Sequence, residues 1–322
     1  MNNLKKVGLT ALATSLITTS AFAGAVSVTG SASINLSNQS NHTVSNGFSS
    51  GDSLNFTGTG ELDNGMTVTM KQEIDGGIMD DRSVAISMDG MGTLTLNNHG
   101  GSSAMSAVDD VTPTAYGESW DVIGIASTGT RTAGQAYKEG AIGGFATNNS
   151  FFYNVPEMVD GLGINVSYSP SNSARPDGSI SYALAYTGVE GLTIGYGRDD
   201  NGQSGNADLE TETMYAKYAF GSFTVGIQES TQDQAQATTS DDEFSAMGIT
   251  YQVSDDLTIG YNMSERQFGD KTADQESTSL SVSYTSGGMT VAGAMVSMDN
   301  VGGSTAARDD IDGYAIDVSF AF

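Results

Sequence analysis

The last eleven residues, Asp312-Gly313-Tyr314-Ala315-Ile316-Asp317-Val318-Ser319-Phe320-Ala321-Phe322, decide how the chain reads. Tyr314, Ile316, Val318, Phe320 and Phe322 fall on one parity; Ala315, Asp317, Ser319 and Ala321 fall on the other. Side chains that change sides at every residue mark a strand, with one apolar face and one small or polar face. The same period of two recurs upstream. Leu280, Val282 and Tyr284 alternate with Ser279, Ser281 and Ser283. Met66–Met70, Val84–Met88 and Ile164–Tyr168 repeat the pattern.

Connections between these segments alternate in length. Tight turns are expected at Asp63-Asn64-Gly65, Asp89–Gly92, Pro156–Gly161, Gly188–Gly191, Gly221-Ser222, Ser254–Asp256 and Ser286–Gly288. They are rich in residues that tolerate positive φ. Long polar segments run roughly over 37–50, 75–81, 98–149, 170–178, 199–207, 230–241, 265–275 and 298–310. Seven turns and eight loops connect sixteen strands, the first near 25–36 and the last near 312–322. A soluble sandwich has no reason to put every tight turn at one end. A transmembrane barrel does, with short turns on the periplasmic side, long loops outside and an even strand number. In that setting the apolar face meets lipid and the small or polar face lines water. Closure leaves no unpaired edge in the bilayer. Tyr153, Tyr168, Phe220, Phe223 and Tyr251 sit at strand ends, where aromatic residues form an interfacial girdle.

Residues 1–23, MNNLKKVGLTALATSLITTSAFA, have the form of a secretory signal peptide. Lys5 and Lys6 precede a short apolar stretch, and Ala21-Phe22-Ala23 gives an A-x-A cleavage site. The apolar core is too short to span a bilayer. The expected mature chain is 24–322. It keeps 10 of the 12 bases and all 38 acids, a formal charge of −28.

Composition excludes several classes. With no Cys there are no disulfides, thiolate metal sites or cysteine nucleophiles. A formal charge of −26 over the whole chain argues against nucleic acid as a partner. Charged residues make up only 16% of the chain, yet 13 Tyr and 12 Phe separate it from a disordered acidic tail. His42 and His99 are its two histidines, both in loop segments. With no nucleophile elbow, P-loop or dinucleotide fingerprint, nothing points to an enzyme or a cofactor.

The signal peptide, about 300 mature residues, sixteen strands and a terminal Phe together resemble the general diffusion porins of Gram-negative bacteria. The start GAVSVTGSASINLS and the end DGYAIDVSFAF look most like the alphaproteobacterial branch. Tyr314, Ile316, Val318, Phe320 and Phe322 resemble the terminal signal read by the barrel assembly machinery. The resemblance implies an all-β, sixteen-stranded antiparallel outer-membrane barrel, usually a homotrimer among outer-membrane lipid and lipopolysaccharide. It also implies a water-filled pore narrowed by the third long loop, folded inward.

In this chain the third loop is 98–149, the longest of all. It carries Asp109, Asp110, Glu118, Asp121 and Glu139 against Arg131 and Lys138, together with Trp120, the single Trp. An acidic constriction is the expectation, and rings of acids favour cations. Parity places the bases Lys71 and Lys217 on the lumen wall. Arg82 would begin its strand at the rim, and Arg175, Arg198, Arg266 and Arg308 would lie in or beside loops, so a dense basic wall cluster is not expected. Asp199, Asp200, Asp241 and Asp242 offer hard oxygens to Ca²⁺. They lack EF-hand spacing, and the preferred reading is a solvated loop whose acids keep it soluble or bridge lipopolysaccharide through ions. The sequence thus reads as a passive, weakly cation-selective channel for small hydrophilic solutes. A solute-specific outer-membrane channel and a secreted acidic β-rich surface protein stay open beside it.

Overall fold

The computed structural model describes residues 26–40, 47–122, 142–145, 148–173, 176–203, 209–234, 241–306 and 310–322. The expected signal peptide lies outside them. Among these residues sixteen strands form: β1 (Val26–Gln39), β2 (Phe48–Glu61), β3 (Thr67–Asp75), β4 (Ile78–Met88), β5 (Gly92–His99) and β6 (Ser150–Asn154). Next come β7 (Leu162–Ser169), β8 (Ser179–Val189), β9 (Leu192–Asp200), β10 (Leu209–Phe220) and β11 (Phe223–Gln234). Then follow β12 (Asp242–Gln252), β13 (Leu257–Gln267), β14 (Gln275–Ser286), β15 (Met289–Asp299) and β16 (Ile311–Ala321). Each pairs antiparallel with the next, and β1 pairs with β16 to close the barrel.

The closing seam explains the terminal Phe. Gly30 and Phe322 exchange both main-chain hydrogen bonds, at 2.7 and 2.9 Å. The Phe322 ring lies over Gly30, where a Cβ would stand 2.5 Å from Cε2. A side chain at position 30 would displace the ring that ends the chain.

The two faces are chemically distinct. On β8, Ile180 and Tyr182 are exposed, while Ser179, Ser181 and Ala183 are buried. On β15, Met295 is 69% exposed and Ala294 and Val296 are buried. Exposed apolar rows of this kind form a barrel's outside. At the turn end of the wall, Phe220, Phe223 and Tyr251 pack ring against ring at 5.7 and 4.7 Å, consistent with a girdle.

Three expectations need correction. Segment 75–81 is not a long loop. Gly76 (φ +54°) and Gly77 (φ +79°) make a two-residue hairpin turn between Asp75 and Ile78. Consecutive left-handed residues match the twist of the flanking strands. Arg82 therefore lies inside β4 rather than at its start. Arg266, expected in the loop 265–275, likewise lies within β13, because that strand runs beyond its apolar row, whereas Arg198 stands near the end of β9, beside the loop as expected.

Candidate functional site

The connection between β5 and β6 is described over 100–122, 142–145 and 148–149. It lies on the small, polar face of the wall. Its main chain donates to wall side chains: Ala104 N–H to Ser167 Oγ at 2.9 Å, Met105 N–H to Ser181 Oγ at 3.0 Å and Ala115 N–H to Ser281 Oγ at 3.1 Å. Val111 N–H donates to Gln228 Oε1 at 3.3 Å, and the Gln228 amide donates back to the carbonyl of Asp109. The hydroxyls of Ser119 and Ser277 lie 2.6 Å apart. The seats thus belong to β7, β8, β11 and β14. Tyr116 Oη accepts from Asn35 Nδ2 on β1, at 3.3 Å.

Apolar contacts supplement these seats. Met105 and Val108 are fully buried against Ala183, Phe152 and Tyr215. Trp120 meets Phe244 edge-on, with centroids 5.0 Å apart, beside Ile142 and Ala246. Val122 joins Val296, Met298, Ile311 and Ala315. Glycine makes the close approach feasible: a Cβ on Gly197 would lie 2.5 Å from Val108 Cγ2. Gly226 and Gly248, directly opposite each other on β11 and β12, lie beneath Pro113.

The acids divide into two roles. Asp109 Oδ2 accepts Gly144 N–H at 3.0 Å, tying the two arms of the loop together. Asp110 and Asp121 are exposed, and Glu118 is half-buried. Protein packed around the Asp110 carboxyl strips part of its hydration, and Asp121, Glu118 and Asp109 add like charge. Together these push its carboxyl up to about 7. Desolvation by the surrounding protein also raises Asp109, Glu118 and, although its side chain reaches the surface, Asp121. Glu139, with Arg131 and Lys138, lies outside the described residues.

On the wall, Lys71 and Lys217 have the parity opposite to exposed Met70 and Tyr218. Lys71 Nζ stands 3.6 Å from Glu73 Oε2, and Glu73 also accepts from Ser53 Oγ at 2.6 Å. The base expected to stand against an acidic loop is thus accompanied by an acid of its own. Arg266 is on the inward parity too, paired with Asp242 at 3.1 Å and packed on the Phe268 ring.

The four Ca²⁺ candidates do not come together. Asp199 accepts Phe145 N–H at 2.7 Å and Ser179 Oγ–H at 3.3 Å, so it anchors the returning arm of the loop. Asp242 is committed to Arg266 and to Gly269 N–H. Asp200 accepts Gly202 N–H within its own turn, and Asp241 stands near Asp233. Among the described residues no three His, Asp or Glu side chains are arranged to hold a metal ion. The terminal residues Tyr314, Ile316, Val318, Phe320 and Phe322 carry the outward row of the seam strand. Sequence reasoning missed the loop seats Ser167, Ser181, Gln228, Ser277 and Ser281. A partial signal existed on β15, where Val291–Val296 is apolar or small on both parities.

A closed sixteen-stranded barrel with outward apolar rows and a long loop held on its polar face defines the class of outer-membrane channel barrels. The family model described as Gram-negative porin matches residues 8–304, and the chain belongs to that family. Similar solved structures include Salmonella typhi OmpF in complex with daunomycin, at TM-score 0.68 and 13% identity, covering 93% of this chain and 98% of that one. The anion-selective porin from Comamonas acidovorans gives 0.66 and 14%, covering 93% and 100%. The trimer form of OmpT, an outer membrane protein of Vibrio cholerae, gives 0.66 and 11%, covering 93% and 100%. A search of the curated proteins found no match. Family and fold make the chain an outer-membrane diffusion channel rather than an enzyme.

Proposed function

We propose that the channel passes small hydrophilic solutes and ions by passive diffusion, with a weak preference for cations, and that loop 100–149 forms its constriction. The observation that carries this reading is the excess of acids on the polar face. Exposed Asp110 and Asp121 stand on the loop with Glu118 close by, while Lys71 on the wall has Glu73 beside it. Net negative charge in a cleft with low-dielectric walls concentrates cations, and more weakly as salt rises. A planar-bilayer reversal potential in a salt gradient tests it: the expected sign is that of cation preference, and anion preference would overturn the reading.

The same proposal includes export with cleavage after Ala23, insertion by the barrel assembly machinery through the terminal row, and assembly as a homotrimer among lipopolysaccharide. Support for the trimer comes from family membership and from a similar structure described as a trimer form.

A further inference from the structure

We propose that a groove on the outward face of β10–β14 holds the acyl chain of a lipid whose headgroup is positively charged.

Three concavities run up this part of the wall as one groove. The lowest, of about 480 Å³, lies among Tyr218, Ile227, Met247, Ile249, Tyr261 and Met263. Ala216 forms its floor, with the larger Ile194 and Ile227 directly opposite on the two neighbouring strands. The next, also about 480 Å³, keeps Ile227, Met247 and Met263 and adds Glu229, Glu265 and Glu276. The uppermost, of about 230 Å³, shares Glu229 and Glu265 and adds Glu243. The groove is thus apolar beside the stacked rings of the turn end and acidic toward the loop end. A tail below and a charged head above match that order.

The acids choose the sign of the head. Exposed Glu229 stands six positions from Phe223 at the turn end of β11. At the same remove from their own turn ends, β13 and β14 present Met263 and Leu280. An ionisable side chain within an apolar band points to a function and to a partner of opposite charge. Glu265 lies directly opposite Glu276, and like charges in that position repel. Among the described residues, Glu229, Glu265 and Glu276 stand in no ion pair; Glu265 accepts only from neutral Gln267, at 2.8 Å. Arg198, on the same outward parity, is held by Glu210 and Glu212. The wall therefore supplies no cation to these three carboxylates, and the occupant of the groove brings it.

Length fits a single chain. Six positions separate Val225, at the apolar end, from Thr231, which lies opposite Glu243. At about 3.4 Å per residue on a strand tilted by about 40°, they cover roughly 15 Å of depth, half of a hydrocarbon core about 30 Å thick. The occupant is an amphiphile of one leaflet, head toward the loops.

Native mass spectrometry of the purified full chain in mild detergent tests this. The probes share two myristoyl chains: dimyristoyl-trimethylammonium-propane and dimyristoyl-phosphatidylglycerol, the latter with and without Mg²⁺. Wild type is expected to retain the cationic lipid about tenfold more than the anionic one, as three exposed ion pairs would give. Glu229→Gln, Glu265→Gln and Glu276→Gln together should abolish that preference. Ala216→Phe fills the apolar end and should lower retention of the cationic lipid with every charge in place. Ile180→Phe, on the outward parity of β8, should change nothing. Heat-modifiable migration confirms the barrel in each variant. Equal retention of the two lipids by wild type, unchanged retention in Ala216→Phe, or a preference for phosphatidylglycerol that requires Mg²⁺ would each overturn the assignment; the last would mean an anionic head bridged by metal.

Discussion

A Cβ on Gly226 would stand 2.6 Å from Cδ of Pro113, so the loop crosses this part of the wall only because position 226 has no side chain. Gly248, its cross-strand partner, stands closer still beneath the main chain of Pro113, where a Cβ would lie 2.3 Å from the carbonyl oxygen. Overpacking of this kind costs about 1–3 kcal/mol. Gly226→Val and Gly248→Val are expected to push the loop off the wall and lower single-channel conductance, with the barrel still heat-modifiable. Gly163→Ala, whose added Cβ would meet nothing nearer than 3.8 Å, should leave conductance unchanged.

The proposed constriction is expected to depend on pH near neutrality through Asp110. Its carboxyl is raised to about 7, chiefly by desolvation and then by Asp121, Glu118 and Asp109. The folded chain therefore holds this proton over a window where the unfolded chain has released it. Its contribution to stability falls as pH rises from about 4 to 7. The charge appears above 7 and vanishes below. Cation preference is expected to weaken between pH 8 and pH 6, and Asp110→Asn should flatten that change. Reversal potentials at the two pH values read both.

Asp199 holds Phe145 N–H and Ser179 Oγ. A charge-assisted bond is worth about 1.5–3 kcal/mol. Asp199→Ala should loosen the returning arm of the loop without opening the barrel. Faster limited proteolysis within 100–149 and noisier open-channel current are the expected readouts.

Arg266 and Asp242 form an ion pair with side chains only 4% and 6% exposed. Removing one partner from a buried pair costs about 3–5 kcal/mol, because the other charge is stranded. Arg266→Ala should lower the unfolding midpoint markedly in denaturant, whereas Lys271→Ala, at an exposed pair with Asp270, should not.

Deleting Phe322 removes both hydrogen bonds to Gly30, roughly 1 kcal/mol each, and the ring that covers the seam. The expected result is a reduced yield of heat-modifiable barrel in outer-membrane fractions. Phe322→Tyr keeps the ring and the main chain and should restore most of it.

Strand number and order were legible because each wall segment must be apolar on one parity where it meets lipid. The rest escaped for physical reasons. Above the apolar rows a strand is polar on both parities, so the ends of β9, β11 and β13 read as loop. Asp80 and Asp81 made β4 look like loop too, which hid the Gly76-Gly77 hairpin. Asp199 and Asp242 looked like solvated acids because their partners, Phe145 N–H and Arg266, are distant in sequence. Loop acidity was visible, but the serines that seat the loop look like any other polar wall residue. The doubled apolar parity of β15 was a usable but unread signal of a covering segment, which includes Val122 and Tyr116.

The wall grips the loop largely by its peptide N–H groups at Ala104, Met105, Val111, Ala115 and Phe145. Every residue but proline supplies that handle. Side chains that face the solute can therefore be exchanged by mutation while the mounting stays intact. In the proposed channel the barrel acts as a socket and the loop as a replaceable filter, so a lineage could retune what it admits without rebuilding the wall.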